Sequence, residues 1–419
     1  MAERLSNSEG DAGARGAAEA VARRSYGKLI ALLAARTGDV AAAEDALSEA
    51  FLSALADWPA KGVPANPEAW LLTVARRRLI DAARRTRTAG AGSGQLRRLV
   101  EELSVAAEDS GIPDRRLALM FACAHPAIEA GIRAPLMLQV VVGLDAKAIA
   151  AAFLMAPAAM GKRLVRVKQK VRQAGIPFRV PEREELAGRR DAVLDAIYAA
   201  FAEGWTDPAG TDVARRDLTG EAIFLARLVT ELLPDDPEAM GLLAFMLHAE
   251  ARRGARRDAA GEFVPLARQD PARWDRPMTL EAEALIRRAA ALGVIGRYQL
   301  EAALQSAHVE RCRTGQPNWG DVVRLYDALS AVTGSPVVAI NRALAVAEVD
   351  GAARALEQMP DISADPRLAQ YQPWWAGRAE LLARTGAHAE ARHAYEIAIG
   401  LERDPAVRRF LERRQAEVG

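Results

Sequence analysis

The stretch Pro157-Ala-Ala-Met-Gly-Lys-Arg-Leu-Val-Arg-Val-Lys-Gln-Lys-Val-Arg172 holds six basic residues and no acidic one. Met160, Leu164, Val167 and Val171 recur at helical spacing, so one side of the segment faces a core. Ala158, Ala159, Lys162, Arg163 and Arg166 then point outward together. A shorter apolar segment with Ile149, Ala150 and Phe153 precedes it across a tight break. A face that is small and then basic suits a DNA major groove. Lys and Arg reach phosphates and guanine edges, and small residues allow close approach. The spacing predicts a helix-turn-helix.

The surrounding chain supports an all-α fold. Its 419 residues are 50% hydrophobic but only 5% aromatic, an Ala/Leu-rich interior that favours helices. No run alternates in the manner of a strand. The length implies several domains rather than one core. The net charge of +1 conceals an asymmetry. Residues 1–175 carry 25 Lys+Arg against 18 Asp+Glu, a net +7, and the remainder carries 31 against 37, a net −6. A basic front suits a polyanion; an acidic rear argues against DNA contact there. Cys123 and Cys312 make no disulfide framework. There is no apolar leader and no stretch of the ~20 apolar residues that a membrane span needs, so a cytoplasmic chain is expected.

Residues 1–14 read as disordered. Helical patterning covers about 15–37, 39–57 and 67–87, with breaks at Thr37-Gly38-Asp39 and from Trp58-Pro59 to Pro67. Thr88 to Gly94 reads as a flexible linker. Helices resume near 96–107, 113–130, 133–142, 145–153 and 157–174, and Gly175 to Pro181 ends this part. Within 39–57, Ala46, Leu47, Ala50 and Phe51 form an apolar stripe with Glu44, Asp45 and Glu49 outside it. In 67–87, Trp70 and Val74 anchor one face. Its second half, Arg76 to Arg87, holds six arginines against one acid, Asp81. An ordinary solvated helix alternates its charges; this one does not.

On these residues the chain resembles RNA polymerase sigma factors of the extracytoplasmic-function group. Ala43-Glu44-Asp45, Glu49 and Phe51 resemble the family's acidic clamp-docking helix. Trp70, Leu71, Val74, Asp81, Arg84 and Arg85 resemble the helix that opens and holds melted promoter. Arg77 stands where many members carry Asn, and Ser48 where many carry Gln. The helix-turn-helix lies where the family's reader of the upstream element belongs. The resemblance implies polymerase-binding residues Glu44, Asp45 and Glu49. It implies DNA-binding residues Arg76, Arg77, Arg84, Arg85, Arg87, Ala158, Ala159, Lys162, Arg163 and Arg166. The implied partners are the clamp and flap regions of polymerase core and promoter DNA. No catalytic residue, metal or cofactor is expected, and the chain is not expected to be an enzyme.

Residues 182–419 continue beyond the usual end of the group. Strings such as Asp114-Arg115-Arg116-Leu117, Cys123-Ala-His-Pro126, Phe201-Ala-Glu-Gly-Trp205 and Gln269 to Asp275 resemble a subgroup with a C-terminal helical extension. Trp375, Gly386, Ala391, Tyr395 and Ala398 fit a tetratricopeptide-like hairpin, and an earlier turn at Gly351 lies 35 residues upstream of Gly386. The expected domains are 15–87, sigma region 2; 88–111, linker; 112–175, sigma region 4; 182–280, helical extension; and 281–419, tetratricopeptide-like repeats that take a protein partner. Cys123 with His125 offers too few ligands for zinc. Arg252-Arg253 and Arg256-Arg257 read either as a solvated loop or as a docking point for the acidic clamp helix or a partner. The competing functional reading is a one-component helix-turn-helix regulator whose repeat domain senses a ligand or partner.

Overall fold

The computed structural model describes residues 2–37, 39–87, 114–153, 155–174, 181–205 and 213–418. The chain is all-α, as its composition implies. Among the described residues the one β feature is an isolated bridge between Arg257 and Phe263. The helices gather into two compact units, Met1–Gly204 with Asp217–Leu228, and Trp205–Arg216 with Val229–Gly419.

In the first unit α1 (Ala2–Thr37), α2 (Val40–Lys61) and α3 (Pro67–Arg87) pack together. Asp39 starts α2 by accepting the Ala42 N–H at 3.0 Å. Leu29, Ile30 and Leu33 of α1 and Leu47, Ala50 and Ala54 of α2 are buried with Leu71 and Ala75 of α3. Each fully buried Leu or Ile contributes roughly 1.5–3 kcal/mol. The rings of Trp58 and Trp70 meet edge to face at 5.5 Å.

Three expectations change here. α1 is helical from Ala2, so 2–14 is not the irregular stretch its small polar residues suggest; Ala14, Ala18 and Val21 are buried and draw the helix N-terminal of residue 15. α2 runs through Pro59, which falls in the last turn, where a missing N–H breaks only one bond. Gly62, at φ 82°, then closes the helix onto the Trp58 carbonyl. The helix expected over 113–130 stops at Cys123, because Pro126 holds His125 out of helical geometry. The linker and the helix near 96–107 lie outside the described residues, as does Gly175 to Val180.

The unit continues through α4 (Arg115–Cys123), α5 (Ala130–Met137) with a π turn at Leu138–Val142, α6 (Ala146–Ala152) and α7 (Pro157–Ala174). Asp114 caps α4 and Asp145 caps α6 through their carboxylates. α8 (Arg190–Trp205) and α9 (Val213–Leu232) follow, Trp205 and the two ends of α9 belonging to the second unit. Arg189, 2% exposed, donates to the Phe121 carbonyl at 3.1 Å, and Arg116 pairs with Glu221. Residues beyond 182 therefore pack into the first unit.

The second unit holds α10 (Pro237–Ala251), α11 (Arg276–Ala291), α12 (Arg297–Thr314), α13 (Trp319–Thr333), α14 (Pro336–Val346), α15 (Ala352–Gln358), α16 (Gln372–Arg384), α17 (His388–Leu401) and α18 (Pro405–Glu417). α10 packs on both α11 and α12. Gly241 makes this possible: a Cβ there would sit 2.5 Å from the Gln299 nitrogen. Glu238 accepts the N–H groups of Tyr298 and Gln299 at 3.0 and 3.1 Å, capping α12. Gly351 (φ 87°) precedes α15, and Gly386 (φ 81°) turns the α16–α17 hairpin. Trp374 and Leu381 pack against Ile340 and Ala355, while Ala391, Tyr395 and Ala398 pack against Ala379.

Candidate nucleic-acid interface

α6 and α7 cross at 109°, within the ~90–120° of helix pairs that present one helix to a groove. Met160 and Leu164 are 0% and 1% exposed, and Val167 and Val171 are buried beside them. That leaves Ala158, Ala159, Lys162 and Arg166 exposed on the opposite side. Arg163 departs from the expected outward face. It is half-buried, pairing with Glu129 at 3.2 Å and donating to the Gly131 carbonyl at 3.4 Å. Arg166 and Lys170 line a shallow groove with Ile128 and Glu129 beside it.

On α3 the buried line is Leu71 and Ala75; Trp70 and Val74 are half-buried, one position round from the anchors that the spacing suggests. Arg77 is exposed, and Arg76 is half-buried. Arg78, exposed alongside, pairs with Glu49 at 3.4 Å. Arg84, Arg85 and Arg87 fall in the last helical turns of α3, and their side chains lie outside the described residues. Glu68 accepts from Ser25 and faces Lys28 at 3.8 Å, fixing the start of α3 on α1.

The three acids of α2 differ. Asp45 and Glu49 are exposed, but Glu44 is only 9% exposed. Its carboxylate accepts from Lys168 Nζ of α7 at 2.9 Å. Lys168 is the residue that sequence reasoning passed over. Its signal was its place between Leu164 and Val171, on the flank of the apolar stripe. Next to this pair, Gly27 of α1 lies on the π turn so closely that a Cβ would fall 1.6 Å from the Val141 oxygen. Tyr26 packs on Gly143, whose φ is 81°. Burial first, then Glu44 and Asp45, hold the Tyr26 hydroxyl above its usual range. Cys123 is fully buried, and burial, then Glu44, push its thiol up, away from the thiolate that binds metals. α2 and α7 are thus joined edge to edge in one unit.

No single described helix is long and apolar enough to cross a membrane. No solved structure matches this chain. Residues 21–88 match the family described as Sigma-70 region 2, the domain by which sigma factors engage polymerase core and promoter DNA to initiate transcription. Residues 189–290 match a family of unknown function, DUF6596. The "Uncharacterized protein R00370" of Rhizobium meliloti (strain 1021) is 39% identical over 364 residues, covering 86% of this chain and 86% of its own length. The chain belongs to the family of that Rhizobium protein, and its front carries the region 2 domain of sigma factors.

Proposed function

We propose that the protein is a sigma factor of the extracytoplasmic-function group with a helical, tetratricopeptide-like extension, acting in the cytoplasm. Residues 15–87 bind polymerase core through Glu44, Asp45 and Glu49. Arg76, Arg77, Arg84, Arg85 and Arg87 hold the melted strand. Residues 112–175 read the upstream element as a helix-turn-helix. Lys162 and Arg166 reach phosphates and base edges, with Ala158 and Ala159 allowing close approach. Residues 182–280 and 281–419 form the extension that takes a partner. Melting costs about 1.4 kcal/mol per base-pair step, so opening depends on binding energy from the core enzyme.

The observation that carries this reading is the pairing of a region 2 match with a 109° helix pair whose outward face is small and then basic. The test is run-off transcription with purified core polymerase, the full chain and genomic fragments, reading transcript ends. Discrete start sites are expected only when core and protein are both present, fading steeply with salt as counterions compete for phosphate. Sequence-specific duplex binding that needs no core, with no start site under any condition, would overturn it in favour of a one-component regulator.

A further inference from the structure

The second unit pairs most of its half-buried arginines with acids: Arg253 with Glu250, Arg257 with Asp404, Arg297 with Glu301 and Arg414 with Glu380. Four depart from that pattern. Arg378 lies over the Trp374 ring at 5.5 Å; the other three are held by neutral acceptors. Arg252 donates to the His248 carbonyl at 3.1 Å and to the Gln305 amide oxygen. Arg311 donates to the Asn318 side-chain oxygen at 3.2 Å, faces His308 Nδ1 at 3.0 Å, and lies 3.8 Å above the Trp319 ring. Arg256 donates to the Trp205 carbonyl at 3.3 Å and stacks on that ring at 4.4 Å. Every one of these acceptors is neutral. Among the described residues no carboxylate pairs with any of the three; Asp404, which acts on Arg256, and Glu348, which acts on Arg311, are engaged by Arg257 and Arg384.

The three converge. Arg252 caps the end of α10, and Arg256 follows it across a single 3-10 turn, Arg253–Ala255. Gln305, which Arg252 touches, stands one turn before His308 on α12, and Arg311 follows one turn later, so the residues share a face. Of the two readings the sequence offers for Arg252-Arg253 and Arg256-Arg257, the solvated loop does not hold: all four are half-buried, with Arg253 and Arg256 on the Trp205 ring. Burial and the neighbouring Arg253, Arg252 and Arg257 pull Arg256 down to about 10. Burial, then Arg311 and Arg252, push His308 down to about 4, so its ring is neutral at physiological pH. Neutral acceptors and aromatic faces orient guanidinium groups without cancelling their charge, which leaves forked donors free for an oxyanion.

We propose that Arg252, Arg256 and Arg311, with His308 between them, form a binding site for a small soluble oxyanion, a carboxylate or phosphate. The half-buried donors favour a compact ligand over an extended polyanion, and the acidic balance of this half of the chain repels nucleic acid. The proposal extends beyond the promoter reading and does not depend on it.

The test uses the full chain at constant ionic strength, titrating inorganic phosphate and, separately, succinate against chloride by calorimetry and thermal unfolding. Saturable binding of at least one oxyanion is expected, and the arm that saturates identifies the chemistry. Arg311→Gln should weaken it about tenfold, the loss of one or two charge-assisted bonds. Arg324→Gln, in an exposed pair with Asp321, should leave it unchanged. Arg256→Gln should raise the Tm of the ligand-free protein by relieving like-charge crowding, the reverse of what a merely structural arginine would show. Should a variant misfold, the His308 ring resonances of the wild type report instead, and must shift with the binding oxyanion. No saturable response beyond chloride, or undiminished binding by Arg311→Gln, overturns the proposal.

Discussion

Lys168 with Glu44 in the first unit, and Arg252, Arg256 and Arg311 in the second, bury charge in opposite ways. The first pair cancels across two helices at 2.9 Å, next to the seat of Gly27 on Val141. The second group is oriented by carbonyls, amides and rings that leave its charge intact. A cancelled pair fixes one arrangement of elements, because removing either member strands the other. An uncancelled group costs stability in the free protein and is suited to an anion from outside. The contrast assigns packing to one constellation and ligand binding to the other.

That contrast can be broken at three points. The largest effect is expected from Gly27→Leu, which places side-chain atoms where the Val141 carbonyl stands. Loss of about 3 kcal/mol or more is expected from the first unit, read as a lower denaturant midpoint at unchanged m. An unchanged midpoint would show that the helix–turn contact does not hold the unit together. Next comes Lys168→Met, expected to cost about 2 kcal/mol by leaving Glu44 without its cation. Adding Glu44→Gln should restore much of that loss, and a double-mutant cycle with no coupling would remove the pair from the account. The third point lies in the second unit and is read through pH. His308 takes its proton near 4 when folded and near 6.5 when unfolded, so the unfolded chain gains protons first as pH falls. Stability should therefore decline from about pH 6.5 to about pH 4, by up to about 3 kcal/mol. His308→Gln should flatten that slope, and an identical slope in the variant would place the titration elsewhere.

The legibility of the chain followed the range of the interactions. The register of α7 was readable because Met160, Leu164, Val167 and Val171 repeat within a few turns and all meet one core. α3 was readable only to within one position, since Trp70 and Leu71 are both apolar and packing on α1 and α2 chooses between them. The end of α4 at Cys123 was missed although Pro126 marks it, because apolar patterning continues through Ile128. Arg163 looked like its neighbours Lys162 and Arg166 until Glu129, far back in the chain, turned it inward. The burial of Glu44 was likewise invisible: its partner lies 124 positions away. The guanidinium cluster needed Trp205, Gln305 and Trp319 from three separate helices, and no local pattern joins them.

Lys168 shares its helix with Lys162 and Arg166, which gives the ion pair to Glu44 a kinetic and thermodynamic consequence for loading. Under the docking role proposed for Glu44, a polymerase cation that takes its carboxylate first has to displace the Lys168 ammonium seated there. If the seated form outnumbers the released one ten to one, apparent affinity for the core enzyme drops about tenfold below its intrinsic value. Charge reversal at position 168 would then hasten holoenzyme assembly even while it weakens the isolated fold.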